Sequence, residues 1–456
     1  MKSKIRNASA IVSALSLFAL SGAAMATNGY FTHGVGAESK GMAGTGVGSN
    51  VASGPIIIAS NPALGIFAKD SWEVGLSAFS QMRSYKTGSS YAQGQGGAFS
   101  LGDGKFDSSS EWFPIPYVAK NWILGNGNAL TFAFYGRGGM NTDWDDSDAI
   151  AMLDPDGPGP APVDDDLPGV FGGGHAGVDL SQAFLAVNYA SAPDDNFAWG
   201  IGPVFAVQMF EAKGLEMFAG YTHSYAASGF TEYPENLTNN GHDTSTGVGV
   251  AAGIWWAMGS AVSAGLSYQS KISMSEFDDY SDLYAEDGGF NIPASTKLGL
   301  SLNGSNDVRL NLDIEHTEYS EVDSVGNPMA NLFNCAGGDL ESCLGGKNGA
   351  GFGWDDMTTY KLGLEWTTSD SMIWRFGYSY GEQPIQSADV MFNILAPGVM
   401  EQHVTFGLTK RNPDGGAWNF SLMYAPEKTV KGVNPFDGQS IELTMSQFEF
   451  EVSYLW

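Results

Sequence analysis

Three things are scarce in this sequence of 456 residues: cysteine, of which there are 2; positive charge, with 21 Lys and Arg against 50 Asp and Glu; and long apolar runs, none reaching 18 residues. Each shortage excludes something. Without a long apolar run there is no candidate for a membrane-spanning helix. A formal charge of −29 excludes nucleic acid as an expected partner and fits solvated loops facing outward. Cys335 and Cys343 lie in one Gly- and Asn-rich stretch with no His or further Cys beside them, so a local disulfide is expected there, and no metal site. No cofactor motif survives inspection, and none is expected.

What is abundant points the other way. Glycine at 61 residues, with 12% aromatics and only 16% charged residues, suits neither a disordered chain nor a helical enzyme. The first 26 residues read as a signal peptide: basic Lys2, Lys4 and Arg6, an apolar core, and Ala24-Met25-Ala26 for cleavage. Removing three cations and no acids takes the charge from −29 to −32.

Beyond residue 70 the chain alternates with period two in about fourteen runs. Val262-Ala264-Leu266-Tyr268 and Trp374-Phe376-Tyr378-Tyr380 are examples, with small or polar residues between them. Tight turns such as Gly125-Asn126-Gly127 and Ser369-Asp370 alternate with long connections such as 140–177 and 317–357. Short turns on one side and long loops on the other predict an all-β fold, a transmembrane antiparallel barrel over 70–456. Its apolar face meets lipid, its polar face lines the lumen, and its turns are periplasmic. The last strand alternates apolar residues to the terminal Trp456, the kind of ending the barrel-assembly machinery reads. Outer-membrane lipid and lipopolysaccharide are the expected surroundings. Counting outward from the turns predicts lumenal ion pairs Glu365–Arg375 and Lys297–Asp313.

Residues 27–69 precede the first strand and are too apolar for a free tail: Tyr30, Phe31, Ile56, Ile57, Ile58 and Leu64 need burial. The lumen is the cavity available, so this segment is expected to be a plug. The stretch SKGMAGTGVG (39–48), the triplet Asn61-Pro62-Ala63 and WRFGYSYGEQPI (374–385) resemble the FadL group of outer-membrane transporters of long-chain fatty acids and other hydrophobic compounds. The resemblance implies a monomeric barrel of 14 strands with a hatch, which here would be carried by Tyr30, Phe31, Ile56–Ile58 and Asn61-Pro62-Ala63. It also implies lateral release of substrate through a gap beside a kinked strand.

A physical cause for such a gap is present. With the turn at Asn126, Pro116 falls opposite Gly136 and Pro114 opposite Gly138. Prolines lack the ladder donor and glycines supply no packing, so a bulge or opening is expected at Gly136, Gly138 and Gly139, with Arg137 re-aimed. The bland reading of the same residues is a frayed hairpin top.

Other motifs carry less. GYSYG (377–381) matches a nucleophile elbow, but Ser379 lies inside a strand, so the match is accidental. GGGHAG (172–177) lies in a long loop without a strand before it or a helix after it. The acidic stretch 143–166 reads as a solvated loop, with divalent-cation binding the alternative. Tryptophans such as Trp72, Trp122, Trp199, Trp366 and Trp418 read as a membrane-interface girdle. The expected function is passive uptake of a hydrophobic small molecule. The alternatives are a diffusion porin for polar solutes and, behind it, a lipase-like barrel or an adhesin.

Overall fold

The computed structural model describes residues 27–51, 54–90, 99–146, 150–153, 166–304 and 307–456. The signal peptide and most of the acidic stretch 143–166 lie outside the described residues. Fourteen long antiparallel strands form a closed barrel. They are β1 (Trp72–Thr87), β2 (Trp112–Gly125), β3 (Asn128–Trp144), β4 (Ala176–Asp194), β5 (Phe197–Lys213), β6 (Asp243–Ala257) and β7 (Val262–Gln269). There follow β8 (Ser295–Asn303), β9 (Val308–Thr317), β10 (Met357–Ser369), β11 (Met372–Gly381), β12 (Gln402–Arg411), β13 (Ala417–Val433) and β14 (Ser440–Leu455). Each strand pairs with the next, and β14 closes on β1 from Leu455↔Glu73 to Ile441↔Thr87.

The side-chain pattern is inverted relative to a soluble sheet. Leu76, Phe205, Val248, Leu298, Tyr360 and Tyr424 point outward and are exposed, whereas Gln208, Asn311, Lys361, Arg375, Asn419 and Glu451 are buried inside. Water is therefore not the solvent of the outer face; this is the arrangement of a barrel in lipid. No helix among the described residues is long and apolar enough to cross a membrane. Short turns join β2 to β3, β4 to β5, β6 to β7, β8 to β9, β10 to β11 and β12 to β13 at one end. Trp122, Trp366, Trp418 and Trp456 stand exposed near that end, where indole rings suit the lipid interface. The aromatic girdle does not use all the tryptophans: Trp144, Trp255 and Trp354 are buried inside.

At the other end the long connections pack on one another. Phe218, Tyr284, Tyr319, Leu344, Trp354, Phe392 and Leu395, from four of these connections, share one buried apolar cluster with Tyr30, Phe31, Ile56 and Ile58 of the N-terminal segment. Cys335 and Cys343 are joined by a disulfide with Cα atoms 4.7 Å apart. Leu344, beside it, exchanges backbone hydrogen bonds with the 214–242 connection, Leu344 N donating to Tyr221 O and His223 N to Leu344 O.

Candidate functional site

The described residues of 27–69 are hydrogen-bonded to inward-facing residues on strands around the barrel. Lys40, at the end of the four-residue helix Ala37–Lys40, reaches β14 and meets Glu449 at 2.5 Å and Glu451 at 2.6 Å, all three side chains buried. Ala43 N donates to Thr405 of β12 at 2.9 Å. Trp255 of β6 and Ser263 of β7 both donate to Gly48 O. Glycine is required at 48, because a Cβ there would sit 2.7 Å from Gly299 O of β8.

The isoleucine run explains itself locally. Pro55–Ala59 and Pro62–Ile66 are two short 3-10 helices, each opened by a proline whose missing N–H is no loss at a helix start. Asn61 caps the second one, its side chain accepting from Ala63 N at 3.0 Å. Its amide nitrogen also donates to Val47 O at 2.9 Å and to Ile254 O at 3.1 Å. Asn188 of β4 donates to Pro62 O, and Asn121 of β2 to Gly65 O and Ala68 O. Ile56, Ile58 and Ala63 are buried, and Ile57 packs with Leu64 and Trp255.

Besides Lys40 and its two glutamates, two further groups of charged residues lie on the inner face of the wall. Glu365 and Arg375 are directly opposed and bond at 2.9 Å, and Arg309 joins the same carboxylate at 2.9 Å. The pair Lys297–Asp313 is not formed. The β8–β9 register places Lys297 opposite Glu315 (Nζ–Oε1 3.3 Å) and Asp313 opposite Gly299. The connection is longer than a tight turn, with Gly304 N bonded to Val308 O, and this shifts the pairing by one same-face position. Asp313 instead accepts from Gly46 N at 2.7 Å and Val47 N at 3.0 Å, in the space Gly299 leaves free of a side chain. Glu315 gathers three cations: Lys361 at 2.6 Å, Lys297 at 3.3 Å and Arg137 at 3.6 Å.

The wall is interrupted between β2 and β3. Their pairing runs from Gly125↔Asn128 up to Tyr117↔Tyr135 and stops, although β2 stays paired to β1 as far as Trp112 and β3 to β4 as far as Trp144. The cause is in the sequence. Asn121 N bonds to Ser71 O, on the β1 side, so in an antiparallel ladder the odd residues of β2 point to β1 and the even ones to β3. Pro114 and Pro116 therefore lack the donors that β3 would need. The edges are not a frayed end, because they meet again higher up, where Ser109 N donates to Asp143 O at 2.9 Å. Between these two points lies a bounded window.

Inside the window stand Tyr30 and Phe31 of the N-terminal segment. Phe31 pairs with Gly138, and Gly139 N donates to Tyr30 O at 3.1 Å, so this backbone takes up part of the edge that β2 leaves unpaired. Arg137 is the extra residue of a bulge between Gln182 and Ala183. Its guanidinium points inward, over the Phe31 ring at 4.7 Å and onto Ser295 Oγ at 2.9 Å. Arg137 and Lys297 line a small cavity, walled on its apolar side by Ile58, Pro62, Ala186 and Val204. A second, small apolar cavity lies under the long connections, lined by Phe210, Phe218, Tyr284, Leu344 and Phe392.

A family model described as outer membrane protein transport protein (OMPP1/FadL/TodX) matches residues 164–411. The chain belongs to this family. It is an outer-membrane transport channel for hydrophobic compounds and not an enzyme. Among solved structures, the Pseudomonas putida toluene transporter TodX is similar at 15% identity and a TM-score of 0.60, over 94% of this chain and 99% of that one. A Pseudomonas aeruginosa FadL homologue matches at 15% identity and 0.61, over 94% and 99%. The Ralstonia pickettii toluene transporter TbuX matches at 14% and 0.55, over 93% and 98%. At these identities the likeness is one of fold. No curated protein sequence matches the chain.

Membership of a transport family also disposes of the elbow-like motif. Ser379 Oγ does lie 3.1 Å from His403 Nδ1, and His403 stacks on His33. All three are completely buried between wall and N-terminal segment. Sequence reasoning missed Lys40, Glu449, Glu451, Tyr319 and Trp354. The two glutamates did carry a signal: alternation puts both on the lumen face of one strand, where neighbouring like charges call for a cation.

Proposed function

We propose that this family member takes up long-chain fatty acids or other hydrophobic compounds passively, with residues 27–69 as its hatch and the β2–β3 window as a lateral exit into the membrane. The observation that carries the reading is the window itself, blocked from within by Tyr30 and Phe31. The apolar cavity under the long connections supports entry from the outer side. The Arg137–Lys297 cavity offers two cations beside apolar walls, the chemistry that holds a carboxylate head on an alkyl chain.

Energetics favour a sideways route. Burying apolar surface is worth about 25 cal/mol per Å2, and release into water would forfeit it, whereas release into lipid would not. A diffusion porin for polar solutes needs an open lumen, and the bonds of Lys40 to β14 and of Gly48 to β6 and β7, on opposite sides of the barrel, oppose that reading. The chain is taken to act as a monomer among outer-membrane lipid and lipopolysaccharide. Its last strand is taken as the assembly-machinery signal.

The test is a reversible lock. Phe31→Cys with Gly138→Cys joins two directly paired positions by a disulfide across the window. Uptake of radiolabelled oleate by cells carrying only this channel should fall at least tenfold in the oxidised variant. It should recover with dithiothreitol, with the reduced parent as control for the native disulfide. Undiminished uptake through the oxidised lock would overturn the hatch and the lateral exit together.

A further inference from the structure

The window has a crossbar. Arg83 lies on β1 opposite Met445 of β14, beyond the last β1–β2 pair, Ser80↔Trp112, where the residues ahead of β2 stay bonded to β1 through Gln81 N to Glu111 O. Its side chain is buried, 3% exposed, and turned toward the interrupted wall. Nη1 donates to Asn141 O on β3, and Nη2 to Ser110 O just ahead of β2. A single side chain rooted on a third strand thus ties together the two edges that Pro114 and Pro116 hold apart. Its own carbonyl accepts from Ser108 N at 2.9 Å, and its guanidinium lies 5.7 Å from the Phe113 ring.

The acceptors matter. Both are backbone carbonyls, so the planar fork of the guanidinium reads the separation of two chain segments rather than neutralising a carboxylate. Lysine, a single-point donor on a flexible stem, cannot span both. Directly behind the upper part of the window lies a small cavity lined by Arg83, Gln81, Tyr30, Gly139, Met140 and Trp354. A molecule moving outward from behind Tyr30 would pass Arg83.

We propose that Arg83 is a positioning residue that fixes the width of the β2–β3 window and so sets the cross-section of cargo that can leave through it. This rests on the lateral-exit reading. Without the crossbar the edges are joined below by Tyr117↔Tyr135 and above by Ser109–Asp143 and the side-chain hydrogen bond from Ser110 Oγ to Asn141 Oδ1, and with Arg83 gone that upper closure is held by small polar side chains and can spread.

The experiment compares uptake of oleate, a single-chain probe, with 12-(1-pyrenyl)dodecanoate, a wide one, into cells expressing the channel. Arg83→Met should raise the wide-to-narrow uptake ratio about fivefold or more, and Arg83→Lys should raise it less. Heat-modifiable migration on gels confirms that each barrel is folded, and Arg83→Lys carries the test if Arg83→Met does not assemble. The oxidised Phe31→Cys, Gly138→Cys lock is run in parallel and should stop both probes. An unchanged ratio, or an equal fall for both probes in a folded Arg83 variant, overturns the crossbar while an effective lock leaves the lateral exit standing. A lock that stops neither probe overturns the exit itself.

Discussion

Phe31 and Gly138 are direct cross-strand partners, and Gly138 lies on the stretch of β3 that β2 has left without a partner. The first residues of the described chain thus act as a short substitute strand in the wall. They are held by backbone and aromatic contacts: Tyr319, brought there by a long connection from the outer end of the barrel, accepts from Phe31 N at 3.3 Å, donates to Asn28 O, and lays its ring against Tyr30 and Phe31. Downstream, Lys40, Gly46, Val47 and Asn61 are fixed by buried side-chain bonds.

That contrast makes Lys40 the anchor to test. Lys40→Met would leave Glu449 and Glu451 buried together without a cation, and breaking such a pair from one side costs about 3–5 kcal/mol. The denaturation midpoint of the folded barrel should fall accordingly. Adding Glu449→Gln and Glu451→Gln to Lys40→Met should restore most of it. A single variant as stable as the parent would show that the cluster is not an anchor.

Seating of the segment depends on the close approach of Gly48 to the β8 backbone at Gly299. Gly48→Val should prevent it while leaving the strands to pair. In planar bilayers the parent is expected to pass no large steady ionic current, and Gly48→Val to pass one. A large current in the parent would sink the occupied-lumen reading. No rise in a folded Gly48→Val barrel would mean that the segment tolerates displacement.

A pH effect is expected at the outer rim, where His242 precedes β6 and meets the outer ends of β4 and β5. The hydrogen bond to Asp179, at 3.2 Å, raises the His242 pKa above its ordinary 6.5 against the opposing effect of burial, and Glu211 at 3.6 Å adds to the rise. A raised histidine stabilises its contact fully below the ordinary value, and that stabilisation is lost as pH rises through the raised one. Hydrogen exchange in 214–242 should therefore quicken as pH climbs from 6 to 8, beyond the intrinsic pH trend. His242→Gln should remove the difference. A half-exposed pair contributes little, so the effect is local.

Much of the barrel was legible because its signals are local. Period-two alternation fixes which side chains of a strand share a face. Turn length fixes which residues of a hairpin oppose each other. Glu365 and Arg375 flank a two-residue turn and so face each other, whereas the longer connection after Asn303 moved Lys297 from Asp313 to Glu315. Pro114 and Pro116 could be placed opposite Gly138 and Gly136 by the same counting, since the turn at Asn126 sets that register.

The sequence by itself determined the strands, their faces, the sorting of short turns from long loops, and the missing donors on β2. Each of these follows from covalent geometry and near neighbours in the chain. Only the tertiary structure decided what fills the lumen and what bounds the window. Lys40 meets acids 409 and 411 positions away, and Asp313 holds amides of Gly46 and Val47. Arg83 spans to Asn141 and Ser110 across strands it does not follow in sequence. Those contacts form because closing the barrel brings distant polar groups into one desolvated space, where each must find a partner. No local pattern names which partner that will be.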